Sequence, residues 1–203
     1  MQTEDIINFL KRNVEPLDDS NYGQGYRASI YLVDGTFLPC VLFRNPSTIV
    51  NLAIRRFKEE KTGRGVFNRS AGLGYHDIVK HFITNGNRVN YYDIEKVEKS
   101  RYAFPLKIQN QIQGETTMGW TGFAVKMKDG KHFGFGTTFH WEFFHMPEGY
   151  STEDMEEVIN HSYVLKTGKL CSHKVPFFEQ PNDYSEAIIY RERPFFECYL
   201  DDL

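Results

Sequence analysis

Apolar positions along this chain recur in two periods, and the switches between them mark out its elements. Residues 26–43 alternate around Asp34-Gly35, and residues 119–144 alternate around Lys128-Asp129-Gly130. Each stretch predicts a β-hairpin. Register follows from asking which residues end up on which face. In the first hairpin a two-residue turn would set Leu32 opposite Phe37 and Ile30 opposite Pro39, which scatters the apolar set. A three-residue loop, Val33-Asp34-Gly35 with Gly35 left-handed, sets Ile30 opposite Leu38 and Ala28 opposite Cys40. That register gathers Ala28, Ile30, Leu32, Leu38, Cys40 and Leu42 on one face. The same loop in the second hairpin pairs Val125 with Phe133 and Phe123 with Phe135. Thr121, Phe123, Val125, Phe133, Phe135, Thr137, Phe139, Trp141 and Phe143 then share a face. Its reverse carries Trp120, Gly122, Ala124, Lys126, His132, Gly134, Gly136, Thr138, His140 and Glu142. Lys166-Thr167-Gly168-Lys169 repeats the turn chemistry a third time, between Tyr163-Val164-Leu165 and Leu170.

Helical spacing appears elsewhere. Ile6, Ile7 and Leu10 predict a helix over 4–13 capped by Thr3, followed by a turn-rich loop over 14–24. Asn45 as cap and Pro46 at the first helical position open a helix over 46–61, with Val50, Ala53, Ile54 and Phe57 as its apolar face. Residues 75–84, with Ile78, Val79 and Phe82, and residues 105–113, stopped by Gly114, give two more. Ser151 with Asp154 reads as a capping box opening a helix to about Asn160, with Met155, Val158 and Ile159 inward. Residues 185–190 alternate weakly, and Pro194 makes them an edge strand or ends the strand. Together these predict an α+β fold: an antiparallel sheet of β-hairpins with helices packed mainly on one face. No composition break or solenoid-period repeat divides the chain, so residues 1–203 are expected to form one domain.

Composition narrows the class. At 203 residues the chain can build a core without disulfides or metal, and its three widely spaced cysteines form no zinc or disulfide pattern. No apolar run spans a membrane, and the acidic start of the sequence is unlike a secretory leader, so a cytoplasmic protein is expected. Aromatic residues are 15% of the chain, with 17 Phe, and the hairpin faces absorb much of that surplus as core. Phe57 and Phe82 are expected on helix faces that cover it. Net charge is only −3, yet residues 44–107 hold 13 Lys/Arg against 6 Asp/Glu while 141–203 hold 5 against 13. Such asymmetry suits either attraction within the fold or a basic surface for phosphates or an acidic partner.

Three places offer chemistry. The loop 63–74 combines four glycines, Arg64 and Arg69 ahead of a helix, the ingredients of phosphate binding, although it matches neither the P-loop nor the dinucleotide fingerprint. With Lys61, Phe67, Asn68 and Ser70 it is a candidate ligand site for a phosphorylated small molecule or nucleic acid. His140 and Glu142 share a strand face beside a floor of glycines, where an acid–base pair or a metal-assisted hydrolase could be built. Trp120 stands on that same face as a possible ligand contact. Cys171-Ser172-His173 sets a nucleophile beside a base in sequence, but such spacing says little about triad geometry. No catalytic signature is complete and none calls for a cofactor. The leading expectation is a non-enzymatic binding protein that acts by surface recognition of a macromolecular partner, most readily a protein.

Overall fold

A computed structural model describes residues 1–19, 22–61, 74–84, 86–173 and 183–203. The fold is α+β, with eleven strands and four α-helices among the described residues. Within the span read as one domain, contacts gather in two compact units: Met1–Lys99 with Phe195–Leu203, and Ser100–Pro194.

In the first unit, β2 (Gly23–Leu32) and β3 (Phe37–Arg44) form the first hairpin. Gly35 sits at φ +83°, Leu32 N–H donates to Thr36 O at 2.9 Å, and Ile30 faces Leu38, so the three-residue loop is the one adopted. A bulge follows, however, and sets Ala28 opposite Val41 rather than Cys40. The extra residue flips the rest of β3, so Val41 and Phe43 enter the core with Tyr26, Ala28 and Ile30. β4 (Ile94–Lys99) lies antiparallel on β2, and β11 (Phe196–Tyr199) lies parallel on β3. β1 (Pro16–Asp19) pairs with the start of β2, where the sequence predicts a loop. An edge strand needs no continuous apolar face, so its polar composition hid it.

The helix α1 (Thr3–Asn13) buries Ile6 and Leu10 as expected, but begins one residue early, with Gln2 at the cap and no side-chain capping bond. In α2 (Pro46–Lys61) the Asn45 side chain accepts the Ser47 N–H at 2.9 Å. Its buried face is Ile49, Leu52 and Ala53, whereas Val50, Ile54 and Phe57 are about half exposed. Two apolar stripes run side by side on this helix, and the predicted face shares only Ala53 with the buried one. α3 (Tyr75–Ile78) continues as a π-type turn through Val79–Ile83. Phe57 packs against Tyr75 and Phe82 against Tyr22.

The second unit opens with α4 (Leu106–Gln109) and the second hairpin, β5 (Thr121–Met127) and β6 (His132–Thr137). Val125 faces Phe133 and Phe123 faces Phe135, as the register argument requires. Phe123, Val125 and Phe135 join Phe104, Ile108, Met127, Phe144, Met155 and Val158 in one core, with Phe104 4.5 Å from Phe144 by ring centroids. The face does not extend as predicted: β6 ends at Thr137, and Phe139 is 81% exposed.

The largest departure is residues 151–160. The capping box between Ser151 and Asp154 is present, but it opens one 3-10 turn, Thr152–Asp154, and then β7 (Met155–Asn160). Met127 faces Met155 and Lys126 faces Glu157, leaving Glu156 as a bulge. A bulged strand puts residues three apart on one face, so Met155 and Val158 imitate a helix in sequence.

β8 (Ser162–Leu165) and β9 (Leu170–Ser172) form the third hairpin, and β10 (Ala187–Arg191) lies antiparallel on β8 and parallel on β6. Of the two outcomes allowed at Pro194 the second holds: the strand ends before it, and it lies between β6 and β8 rather than at an edge. Both sheets are therefore mixed rather than antiparallel, ordered β7-β5-β6-β10-β8-β9 here and β1-β2-β3-β11 with β4 on β2 in the first unit.

All three hairpins share one local plan. The residue after the first strand donates its N–H to the residue just before the third strand: Val33 to Asp93 O at 2.9 Å, Lys128 to Asp154 O at 2.8 Å and Lys166 to Glu186 O at 3.0 Å. Each turn holds a glycine at positive φ, Gly35, Gly130 and Gly168. A 3-10 turn precedes each third strand. In the first two copies the bulge recurs as well, at Glu95 of β4 and Glu156 of β7.

Candidate functional site

The glycine floor on the reverse of the second hairpin is closed by protein. A turn at Thr117–Trp120, with Gly119 at φ +73°, sends the Trp120 indole back over β6. A Cβ at Gly136 would overlap that ring, so only glycine permits the approach. A Cβ at Gly134 would meet Ile188 O at 2.7 Å and Val164 N at 3.2 Å, and one at Gly122 would meet His173 Nε2 at 3.3 Å. Backbone atoms of β8 and β10 thus meet the floor at Gly134. Trp120 also carries Arg191, whose Cζ is 4.6 Å from the ring centroid. Arg191 in turn donates to both oxygens of Glu192, at 2.9 and 3.1 Å, and Thr138 donates to Glu192 as well. Partial burial pushes the Glu192 pKa up, but these donors outweigh it and hold it down at about 2.

Next to Trp120 the rings of Tyr163, His173 and Tyr184 pack in a triangle with centroids 4.9 to 5.2 Å apart. Burial, and then His161, lower the His173 pKa, so this imidazole is neutral near pH 7. The Cys171 thiol makes its contacts with Lys169 O and Asp183 Oδ2, both at 3.9 Å, rather than with His173.

His140 and Glu142 do approach, with Nδ1 to Oε2 at 3.8 Å, but the imidazole side chain is 53% exposed. Glu142 Oε2 also accepts the Trp141 N–H at 2.9 Å. Among the described residues no three His, Cys, Asp or Glu side chains gather as a metal site requires. Arg64, Phe67, Asn68, Arg69 and Ser70 lie outside the described residues, and Lys61 is described only as the last residue of α2. Beyond that loop, the Tyr75 N–H at the start of α3 donates to Glu60 Oε1 at 2.9 Å, so a carboxylate of the chain itself already meets this amide.

Sequence reasoning passed over the turn end of the first hairpin. Val33, Phe37 and Tyr92 are 66%, 45% and 67% exposed, and Phe37 stacks on Tyr31 at 4.8 Å with Lys96 over the Tyr31 ring at 5.5 Å. The matched positions of the second hairpin, set by the shared turn bonds and pairing, are Lys128, His132, Glu153 and Lys126. Aligning the two turns in the sequence would have exposed this contrast.

No family model, no curated protein and no solved structure matches the chain. Among the described residues no helix is long and apolar enough to cross a membrane.

Proposed function

We propose that this chain is a non-enzymatic binding protein whose contact surface is the turn end of the β2–β3 hairpin, and that its partner is a protein offering an apolar patch. One observation carries the reading. The same backbone, held by the same bonds, presents Tyr31, Val33, Phe37 and Tyr92 in the first unit and Lys126, Lys128, His132 and Glu153 in the second. Single exposed apolar residues are ordinary. A group of them, at positions that the same fold fills elsewhere with charge, is a requirement of something other than folding. Aromatic residues suit it, because Tyr and Phe are enriched where protein surfaces meet.

The second hairpin also supplies the test. Replacing Tyr31→Lys, Val33→Lys and Phe37→His together installs residues already compatible with this backbone. Affinity capture from lysate is expected to lose its specific partner with the triple variant while the melting temperature stays close to that of the wild type. An apolar contact should also persist at high salt. Capture of the same set by both proteins would remove the hairpin end from the reading.

A further inference from the structure

Three extended segments of the second unit lie side by side: Ala103 bridges Phe143, and Phe144 bridges Glu192. Phe144 N–H donates to Tyr102 O at 3.0 Å, His145 N–H to Arg191 O at 2.9 Å and Arg193 N–H to Phe143 O at 2.8 Å. This ribbon brings Arg101 and Arg193 to Tyr102, with His145 beside Arg193. The Arg193 and Arg101 guanidinium carbons lie 4.1 and 5.3 Å from the Tyr102 ring centroid, and Arg193 NH1 is 3.5 Å from His145 Nδ1.

The one carboxylate the ribbon bridges contribute, Glu192, is taken by Arg191 and Thr138. Among the described residues neither Arg101 nor Arg193 has a carboxylate partner; Arg101 makes only a long bond of 3.4 Å to Tyr150 O, and the partly enclosed Arg193 leaves its buried Nε without a hydrogen bond. Burial first, and then the Arg193 charge, hold the His145 pKa below its ordinary value. Crowding cations without an anion costs free energy unless a ligand supplies the missing charge.

We propose that Arg101 and Arg193, beside His145, bind a phosphate-type oxyanion carried by a small molecule. Guanidinium forks match the oxygens of such a group. A nucleic-acid strand fits less well, because both guanidinium groups lie against the ring of Tyr102 that a base would stack on. The residues of this unit also include only 10 Lys/Arg against 12 Asp/Glu, which gives a polyphosphate backbone little to follow. This site is separate from the hairpin end described above, so either reading can fail without the other.

The test is titration of the full chain with inorganic phosphate at constant ionic strength, following the His145 ring resonance by NMR, with a short thymidine oligonucleotide as the second arm. Saturable phosphate binding is expected, weakened about tenfold by Arg101→Gln and by Arg193→Gln, the loss of one charge-assisted hydrogen-bonded contact. Arg193→Lys should recover only part of it, because the charge returns without the fork. Should Arg193→Gln lower the melting temperature by losing its stacking on Tyr102, the exposed Arg101→Gln decides. Absence of saturation, or equal affinity in wild type and Arg101→Gln, overturns the site. Salt-sensitive binding of the oligonucleotide with none of phosphate overturns the small-molecule assignment.

Discussion

The β2–β3–β4 and β5–β6–β7 segments are two answers to one backbone. Both turn on a left-handed glycine, both tie the turn to the residue before the third strand, and both carry a glutamate bulge in that strand. Their inward positions match in kind: Ile30 with Val125, Ile94 with Met155, Val97 with Val158. Outward they part twice. Near the turn the first is aromatic and the second charged. Farther along, Arg27 faces Leu42 in the first, both buried side chains, where Gly122 faces Gly136 in the second. Turn and inner face are dictated by the backbone, while the outer face is dictated by what lies on it. For the second hairpin that is Trp120, His173 and backbone atoms of β8 and β10.

The sharpest way to break this contrast is to give the second hairpin a side chain on its outer face. Gly134→Ala would drive a Cβ to 2.7 Å from Ile188 O and 3.2 Å from Val164 N, both backbone atoms that no rotamer change can move. Overpacking of this kind is expected to cost about 3 kcal/mol, measured as the shift in urea midpoint. A loss below about 0.5 kcal/mol, the usual range for surface changes, would mean that the floor is not closed as described.

A smaller effect tests the likeness instead of the difference. Gly35 and Gly130 sit at φ +83° and +87°, and neither would place a Cβ within 4 Å of another residue. Gly35→Ala and Gly130→Ala should therefore cost only the strain of the left-handed conformation, about 1–2 kcal/mol each. Native-state hydrogen exchange, read unit by unit, should show nearly equal losses. A much larger cost at one turn would show that the two are not equivalent.

These comparisons also say what the sequence made legible. Both hairpin registers could be argued from the faces, since a one-residue slip scatters the apolar set, and next to both turns that logic held. It failed at Ala28, where an extra residue put Val41 and Phe43 instead of Cys40 and Leu42 on the face packed with Ala28 and Ile30, although Cys40 and Leu42 are buried as well. It failed more severely at Met155 and Val158, because a bulge and a helix produce the same spacing of three. The likeness between hairpins was visible in Asp34-Gly35 and Asp129-Gly130, but the third strands that complete it are set at different distances along the chain. The glycine floor was legible as a place of close approach. Its occupant was not, because Trp120, His173 and Val164 reach it through tertiary packing that no local pattern encodes.

The two turns differ in the side chains that hold their aspartates, and that gives the finest test. Asp34 is held below its ordinary pKa of 3.8 by the Thr36 backbone and side chain, whereas Asp129 is held down first by the Tyr150 hydroxyl and then by the Lys131 backbone N–H. The Tyr150 O–H donates to Asp129 Oδ2 at 2.6 Å. With the folded pKa depressed, each ionised carboxylate contributes stability above its unfolded pKa, and that contribution is lost as pH falls through the folded value. Tyr150→Phe removes the hydroxyl and keeps the ring stacked on Phe133. In a carboxyl-carbon NMR titration the Asp129 pKa should rise toward its ordinary value while that of Asp34 stays in place. The acid limb of stability should begin at slightly higher pH for the second unit alone. An unmoved Asp129 would assign its ionisation to the turn backbone, and the two hairpins would then be alike in this respect too.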